Sequence, residues 1–210
     1  MRIGITQRVE FVAAYGEHRD CLDQQWFSFI ERLGFTPIPI PNALVDIRKW
    51  AHALAIEGLI LSGGNDLSHL RGARNISKLR DQTEIALLGW AREHNVPVLG
   101  VCRGLQMMNF WLGGQLLPVT DHVGVRHGVI CTTDALPVFG SVSEVNSFHN
   151  WGITPEGLAA GLLPQCLSQE GNVEAFWHTS LPWAGIMWHP ERDLPFNEFD
   201  RQLFNQVFRG

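Results

Sequence analysis

Several features are scarce or missing in this sequence of 210 residues, and each scarcity excludes a class of function. Lysine and arginine form no cluster of the kind that a nucleic-acid groove requires, and the formal net charge is −5. No segment, the N-terminus included, carries the apolar run of a signal peptide or a membrane span. We therefore expect a cytoplasmic protein that binds neither nucleic acid nor membranes and folds as a single domain over residues 1–210.

The four cysteines lack the spacing of a metal site or a redox pair. None belongs to a Cys-x-x-Cys pair, and the histidines and acids show no His-Glu-x-x-His pattern. We therefore expect no metal and no organic cofactor. A disulfide framework is not expected in such a chain either, so Cys21, Cys131 and Cys166 are interpreted as small buried side chains. Cys102 is the exception.

Short apolar strands alternate with helical patterns over the first half of the chain. Strands are predicted at Arg2–Thr6, Phe35–Ile40, Gly58–Leu61 and Pro97–Val101, and helices at Leu22–Leu33, Leu44–Ala55, Asp81–His94 and Cys102–Leu112. Between Gln115 and Met187 the strand patterns come closer together, which favours an antiparallel extension. A last helix is predicted at Asn197–Phe208. The fold class is therefore α/β, with a central, mostly parallel sheet flanked by helices.

The first chemical signal is a cysteine between a buried strand and a helix. Cys102 is flanked by Gly100 and Gly104, a pattern that resembles the nucleophile elbow of the α/β hydrolases. Such a tight turn strains the backbone, and glycines on either side avoid clashes. The positive end of the following helix favours a thiolate on Cys102. The N–H group of Arg103 is predicted to face a developing oxyanion.

A base and an orienting acid follow far downstream. Among nine histidines, His189 stands out because it directly follows the predicted strand Ala184–Trp188, where active sites form in open α/β sheets. Glu191 can hydrogen-bond its imidazole and fix the tautomer that accepts a proton from sulfur. At another strand end, the N–H group of Gly64 is predicted to be a second oxyanion donor.

Five motifs in this order resemble the class I (triad-type) glutamine amidotransferases, and within them the γ-glutamyl hydrolase branch, which is similar to peptidase C26. The motifs begin at Ser62, Arg80, Gly100, Val145 and His189 and read SGGND, RDQTE, GVCRGLQ, VNSFH and HPE. The resemblance implies a flavodoxin-like class I fold and a thioester mechanism. In it Cys102 attacks the γ-carbonyl of a glutamyl amide, His189 passes a proton to the leaving amine, and water frees glutamate.

The resemblance also implies a set of substrate-binding residues. The glutamyl α-amino and α-carboxylate groups would be held by Gln106, Ser147, Phe148 and His149, with Glu84 assisting. The chain departs from the family where Met187 and Asn150 each replace a frequent glutamine, and both departures concern the leaving-group pocket.

The N-terminal segment Tyr15–Trp26 is similar to a smaller subgroup, the γ-glutamyl-CDP-amidate hydrolases of surface-polysaccharide pathways. We expect Arg19 to pair with a phosphate of the leaving half, with Arg126 adding to it. The alternative is that Glu17–Asp23 only caps and solvates the following helix, with Asp20 as its N-cap. Trp151 and Trp188 adjoin the site motifs and would either stack on the leaving group or belong to the core.

Two other functions stay open at this point. A glutaminase subunit would deliver ammonia to a synthase, but in the family Arg103 is typical of free-standing hydrolases. A redox-sensing or non-catalytic protein would need no downstream base and orienting acid. The expected partner is a small-molecule γ-glutamyl amide, and a homodimer remains open.

Overall fold

A computed structural model describes residues 1–133, 139 and 142–210 of the chain. The described strands are β1 (Arg2–Thr6), β2 (Arg8–Val12), β3 (Glu17–Cys21), β4 (Thr36–Ile40), β5 (Gly58–Leu61), β6 (Val98–Val101), β7 (Leu117–Pro118), β8 (Val123–Cys131), β9 (Glu144–Phe148), β10 (Trp151–Gly152), β11 (Leu162–Ser168), β12 (Val173–His178) and β13 (Trp183–Ile186). The described α-helices are α1 (Gln24–Arg32), α2 (Ile47–Ala53), α3 (Lys78–Glu93), α4 (Arg103–Trp111) and α5 (Glu198–Arg209).

Nine strands form one sheet in the order β4-β1-β5-β6-β13-β12-β11-β8-β9. The first five of these strands are parallel to one another. The remaining four add antiparallel pairs. This arrangement confirms the predicted α/β fold with its antiparallel extension. The proline-bearing strand β4 lies at the edge, where missing N–H donors are tolerated.

Helices cover both faces of the parallel half because its strands are apolar on both sides. One face packs against α1 and α5, and the other against α2, α3 and α4. Successive residues of β5 alternate between the two cores: Ile60 faces the first, whereas Leu59 and Leu61 face the second. No helix among the described residues has the length and apolar character needed to cross a membrane.

The alternative in which Asp20 is the N-cap of the first helix was wrong. The segment after β1 forms a β2–β3 hairpin, and the N-cap of α1 is Asp23, whose carboxylate accepts from the N–H group of Gln25. Asp20 bonds to Asn42 instead. The residues of this short two-stranded ribbon are exposed or only half-buried, so they carry too weak an apolar pattern to mark these strands.

The expectation that no disulfide forms was also wrong. Cys131 on β8 and Cys166 on β11 stand opposite each other in an antiparallel ladder and are disulfide-bonded. Directly opposed residues bring their side chains together, but the register that opposes them cannot be read from spacing alone. Cys21 is only partly buried and borders the cleft described below.

Candidate active site

The turn that carries Cys102 has the geometry of a nucleophile elbow. Cys102 has a φ of 52° and a ψ of −106°, and α4 begins at the next residue. A Cβ atom on Gly100 would lie 2.6 Å from the amide nitrogen of Leu105. A Cβ atom on Gly104 would overlap the carbonyl oxygen of Leu61. Both glycines are therefore required by close backbone approach, as the Gly-x-Cys-x-Gly pattern predicts.

His189 and Glu191 form a buried pair beside Cys102. Nδ1 of His189 lies 2.7 Å from Oε1 of Glu191. Burial alone would lower the pKa of His189, but the charges and hydrogen bonds of both neighbours raise it to about 9. The imidazole therefore carries a proton at neutral pH.

The backbone of His189 is fixed by a side chain of β9, the edge strand of the antiparallel half of the sheet. Asn146 on β9 donates from Nδ2 to the carbonyl oxygen of His189 at 2.8 Å. Its Oδ1 accepts from the N–H group of His189 at 2.9 Å. This amide pair positions the base without touching its ring.

The glycine loop after β5 lies against His189. Arg80 donates to the carbonyl oxygens of Ser62 and Gly63 at 2.6 and 3.0 Å, which holds the loop in place. A Cβ atom on Gly63 would overlap Cε1 of His189. Gly64 has a φ of +119°, a conformation that favours glycine. The backbone of the loop therefore packs directly against the His189 ring, with no room for a side chain at Gly63.

The side chain of Arg103 points away from the elbow into a buried ionic network. Its guanidinium donates to the carboxylates of Glu84 and Asp81. Glu84 also accepts from Thr6 at 2.8 Å and Arg80 at 3.0 Å. Burial would raise the pKa of Glu84, but the two guanidinium charges lower it. Glu84 is 0% exposed, so its expected role beside the substrate is replaced here by a role in holding the elbow.

Three of the predicted glutamyl-binding side chains are bonded within the protein. Gln106 donates to the carbonyl oxygen of Trp151 at 2.9 Å, and Ser147 donates to that of His122 at 2.7 Å. His149 places Nδ1 3.0 Å from the carbonyl oxygen of Trp151. Burial and the nearby His122 lower the pKa of His149 to about 3, so this ring is neutral.

A small cleft opens beside His189. Phe148 is 38% exposed and meets the His189 ring edge-on at 5.8 Å between centroids. The guanidinium of Arg192 lies 4.2 Å from the centre of the Phe148 ring. The cleft is lined by Arg8, Cys21, Leu22, Asp23, Trp26, Ser62, Gly63, Gly64, His189, Glu191 and Arg192.

The arginines that reach this cleft differ from those expected. Arg19 lies on β3, pairs with Glu17 at 2.7 Å and does not line the cleft. Arg8, across the hairpin on β2, does line it. Arg126 is held by Glu144 and Asp193. Arg8 follows β1 by two residues, and this position after a strand is the signal that could have identified it.

Trp188 belongs to the core. It is 1% exposed, packs edge-on against Phe139 and Phe199, and donates to Asp200 at 2.8 Å. Burial raises the pKa of Asp200 to about 8. The stacking alternative for Trp188 is therefore excluded by its position, because a buried indole cannot reach a ligand in the cleft.

An α/β sheet with a strained cysteine at a strand-to-helix turn, and a histidine–glutamate pair at the end of the neighbouring strand, defines the glutamine amidotransferase-like class of folds. The chain belongs to the peptidase C26 family, whose model matches residues 2–191. It is similar to γ-glutamyl-CDP-amidate hydrolase from Campylobacter jejuni, with 36% identity over 99% of this chain and 98% of that protein.

More distant relatives agree with the family and the fold. The chain is 27% identical to γ-glutamyl-γ-aminobutyrate hydrolase from Escherichia coli, over 93% of this chain and 86% of that protein. Among solved structures, a glutamine amidotransferase from Thermotoga maritima superposes with a TM-score of 0.71 at 14% identity, covering 100% of this chain and 98% of that one. This structural likeness concerns the fold alone.

Proposed function

We propose that this chain hydrolyses the γ-glutamyl amide bond of a nucleotide-linked amide, a γ-glutamyl-CDP-amidate or a close analogue. The observation that carries the proposal is the His189–Glu191 pair, whose Nδ1 and Oε1 atoms lie 2.7 Å apart, just beyond the end of β13, the strand that pairs in parallel with the strand leading into Cys102. The nucleotide-linked leaving half is supported by the 36% identical relative, which this chain matches over almost its whole length.

The reaction proceeds in two steps. The Cys102 thiolate attacks the γ-carbonyl carbon and forms a tetrahedral intermediate, whose C–N bond breaks as His189 gives its proton to the leaving nitrogen. The amine departs and leaves a glutamyl thioester. Neutral His189 then takes a proton from water as the water attacks the thioester, glutamate leaves, and the thiolate–imidazolium pair is restored.

The charge of each tetrahedral intermediate is expected to face two backbone donors. Helix geometry leaves the N–H group of Arg103 without an acceptor inside α4, and the Gly64 N–H group belongs to the loop that contacts His189. Such preorganised donors contribute about 3–4 kcal/mol each to the transition state in other hydrolases. The buried network around Arg103 supports this assignment because it fixes the first turn of α4.

The leaving half is proposed to lie in the cleft beside His189, because the residue that protonates the amine must contact it. Two arginines, Arg8 and Arg192, line that cleft. Guanidinium groups bind phosphates through paired hydrogen bonds. We assign the phosphate contact to these two residues rather than to Arg19, which does not line the cleft.

The test compares kcat/KM for glutamate release from a γ-glutamyl-CDP-amidate with that from glutamine. We expect the nucleotide-linked amide to be preferred, and Cys102→Ala to abolish both activities while the fold is retained. A preference for glutamine would favour the ammonia-delivering glutaminase instead. Turnover by Cys102→Ala would refute the nucleophile assignment.

The hairpin offers a matched pair of variants for the phosphate contact. Arg8 and Arg19 are both about half-exposed and each pairs with a glutamate of the same hairpin, but only Arg8 lines the cleft. Arg8→Ala should lower kcat/KM for the nucleotide-linked amide by roughly 10-fold or more and leave glutamine turnover nearly unchanged. Arg19→Ala should change neither. The reverse result would place the pocket on the far side of the hairpin.

A further inference from the structure

Four side chains form a compact group in the antiparallel half of the sheet, and the proposed mechanism uses none of them. They are called here the histidine cluster: His122, His127, His149 and Glu174. Each offers one ligand atom, and these atoms all lie within 4.8 Å of one another. His122, His149 and Glu174 are buried, and His127 lies at the rim with 15% of its side chain exposed.

The atoms that face one another in the histidine cluster have no hydrogen-bond partner among the described residues. They are Nδ1 of His122, Nε2 of His127, Nε2 of His149 and both carboxylate oxygens of Glu174. A buried polar group without a partner destabilises the fold, and a charged one does so more strongly. Unpartnered atoms from four residues at one place indicate that one shared ligand satisfies them all.

In His149 and His127, the hydrogen bond made by Nδ1 determines whether Nε2 carries a proton or a lone pair. Nδ1 of His149 lies 3.0 Å from the carbonyl oxygen of Trp151. Nδ1 of His127 lies 3.3 Å from that of Gly128. Since a carbonyl only accepts, each Nδ1 carries the proton and each Nε2 presents a lone pair. A metal-binding histidine is oriented in this way in most proteins.

These lone pairs face a carboxylate. The Nε2 atoms of His127 and His149 lie 3.7 and 3.8 Å from the two oxygens of Glu174. Acceptors that face acceptors repel one another in a buried site unless a proton or a metal cation lies between them. The nearby carboxylate of Glu170, 4.0 Å from Nε2 of His122, adds an outer acceptor for that ring.

We propose that the histidine cluster binds one divalent transition-metal ion, with Zn²⁺ preferred. Three imidazole nitrogens and one carboxylate oxygen form a ligand set that zinc accepts in tetrahedral geometry. Bonds of about 2.0–2.1 Å would place neighbouring ligands roughly 3.3 Å apart. The distances from Glu174 to its two nearest histidines are therefore within a small side-chain movement of a zinc site.

Four protein ligands close the site, which is typical of structural zinc. The ion would join β8, the turn after β9, and β12, through His127, His149 and Glu174 respectively. Since Asn146 of β9 brackets the His189 backbone, the ion would steady the strand that positions the base. A closed site activates no water, so the expectation that the chemistry itself needs no metal is unchanged.

The test measures metal content and thermal stability of the full chain. After equilibration with zinc and dialysis, we expect about one zinc per wild-type chain and a Tm that a chelator lowers by several degrees. Cobalt(II) in place of zinc should give the visible absorption of a tetrahedral site, which added zinc removes. His127→Gln, at the rim, and Glu174→Gln should each lose most of the bound metal.

His52→Gln is the matched control, because His52 is exposed on α2 and lies outside the histidine cluster. It should keep the wild-type metal content. The proposal is overturned if wild type retains little zinc and shows no Tm response, or if the two ligand variants bind as much zinc as wild type. If the variants fail to fold, the cobalt(II) spectrum of wild type is the test of the proposed metal site. Tetrahedral bands would support the site, and a spectrum without them would contradict it.

Discussion

The ion pair between His189 and Glu191 makes the pH dependence of turnover a direct test of the mechanism. The fold raises the pKa of His189 from 6.5 to about 9, which corresponds to roughly 3 kcal/mol in favour of the imidazolium. Glu191→Gln keeps the shape of the side chain but removes the charge that lies 2.7 Å from Nδ1. Since such a neighbouring charge moves a pKa by about 1–3 pH units, the pKa of His189 should fall by that amount.

Glutamate release can be followed from about pH 6 to pH 10 for wild type and Glu191→Gln. Wild-type kcat/KM should fall on the alkaline side with a midpoint near 9, because neutral His189 has no proton for the leaving amine. In Glu191→Gln this midpoint should move towards neutral pH. Its kcat should also fall by a factor of order 10², since the base loses its orienting partner.

The control for this experiment is Glu31→Gln, which removes an equal charge from the exposed surface of α1. Its pH profile should coincide with that of wild type. A wild-type profile without an alkaline limb near 9, or the same limb in wild type and Glu191→Gln, would refute the assignment of His189 as the proton donor.

Three further substitutions test other parts of the structure. Gly63→Ala should fold but lose roughly 10²-fold in kcat/KM, because the new methyl group overlaps the His189 ring. Gly72→Ala is the kinetic control: its methyl group meets no atom within 4 Å, and the strain at its φ of +96° should lower stability without lowering kcat/KM. The pKa of Asp200 is raised by burial to about 8, so its stabilising contribution is complete below about pH 4 and is lost as the pH rises through 8. The Tm of Asp200→Asn should therefore improve relative to wild type as the pH rises from about 5 to about 8, and a constant Tm difference would contradict the buried neutral acid. Arg103→Leu should lose roughly 3–5 kcal/mol of unfolding free energy in denaturant titrations, since it leaves two buried acids short of a cation, and a loss below about 1 kcal/mol would show that the network is dispensable.

The elements that carry the proposed triad could be predicted because their patterns are local. Cys102 follows an apolar strand and precedes a helical stripe, and His189 follows another apolar strand, with Glu191 two residues away. Parallel strands in an α/β sheet end at the same edge. Short-range patterns were therefore enough to place the candidate nucleophile and base together, although the order of strands was not predicted.

The antiparallel half could not be predicted in the same way. Cys131 and Cys166 are 35 residues apart in the sequence, and their pairing depends on the register between the two strands that carry them. The histidine cluster likewise gathers residues from two strands and two loops that share no sequence spacing. Arg19 was expected at the site because it lies in the segment Tyr15–Trp26, but the hairpin instead brings Arg8, opposite Cys21, to the cleft.

Arg103 shows how a residue next to a nucleophile can act at a distance from the reaction. Its guanidinium ties the first turn of α4 to Glu84 and Asp81 of α3. From the same helix, Arg80 bonds to Glu84 and to the loop at Gly63. One buried network with two cations and two carboxylates thus connects the elbow to the glycine loop. The two expected oxyanion donors are the N–H groups of Arg103 and Gly64, and side chains of α3 bond to the element that carries each of them. The distance between the two donors therefore depends on α3.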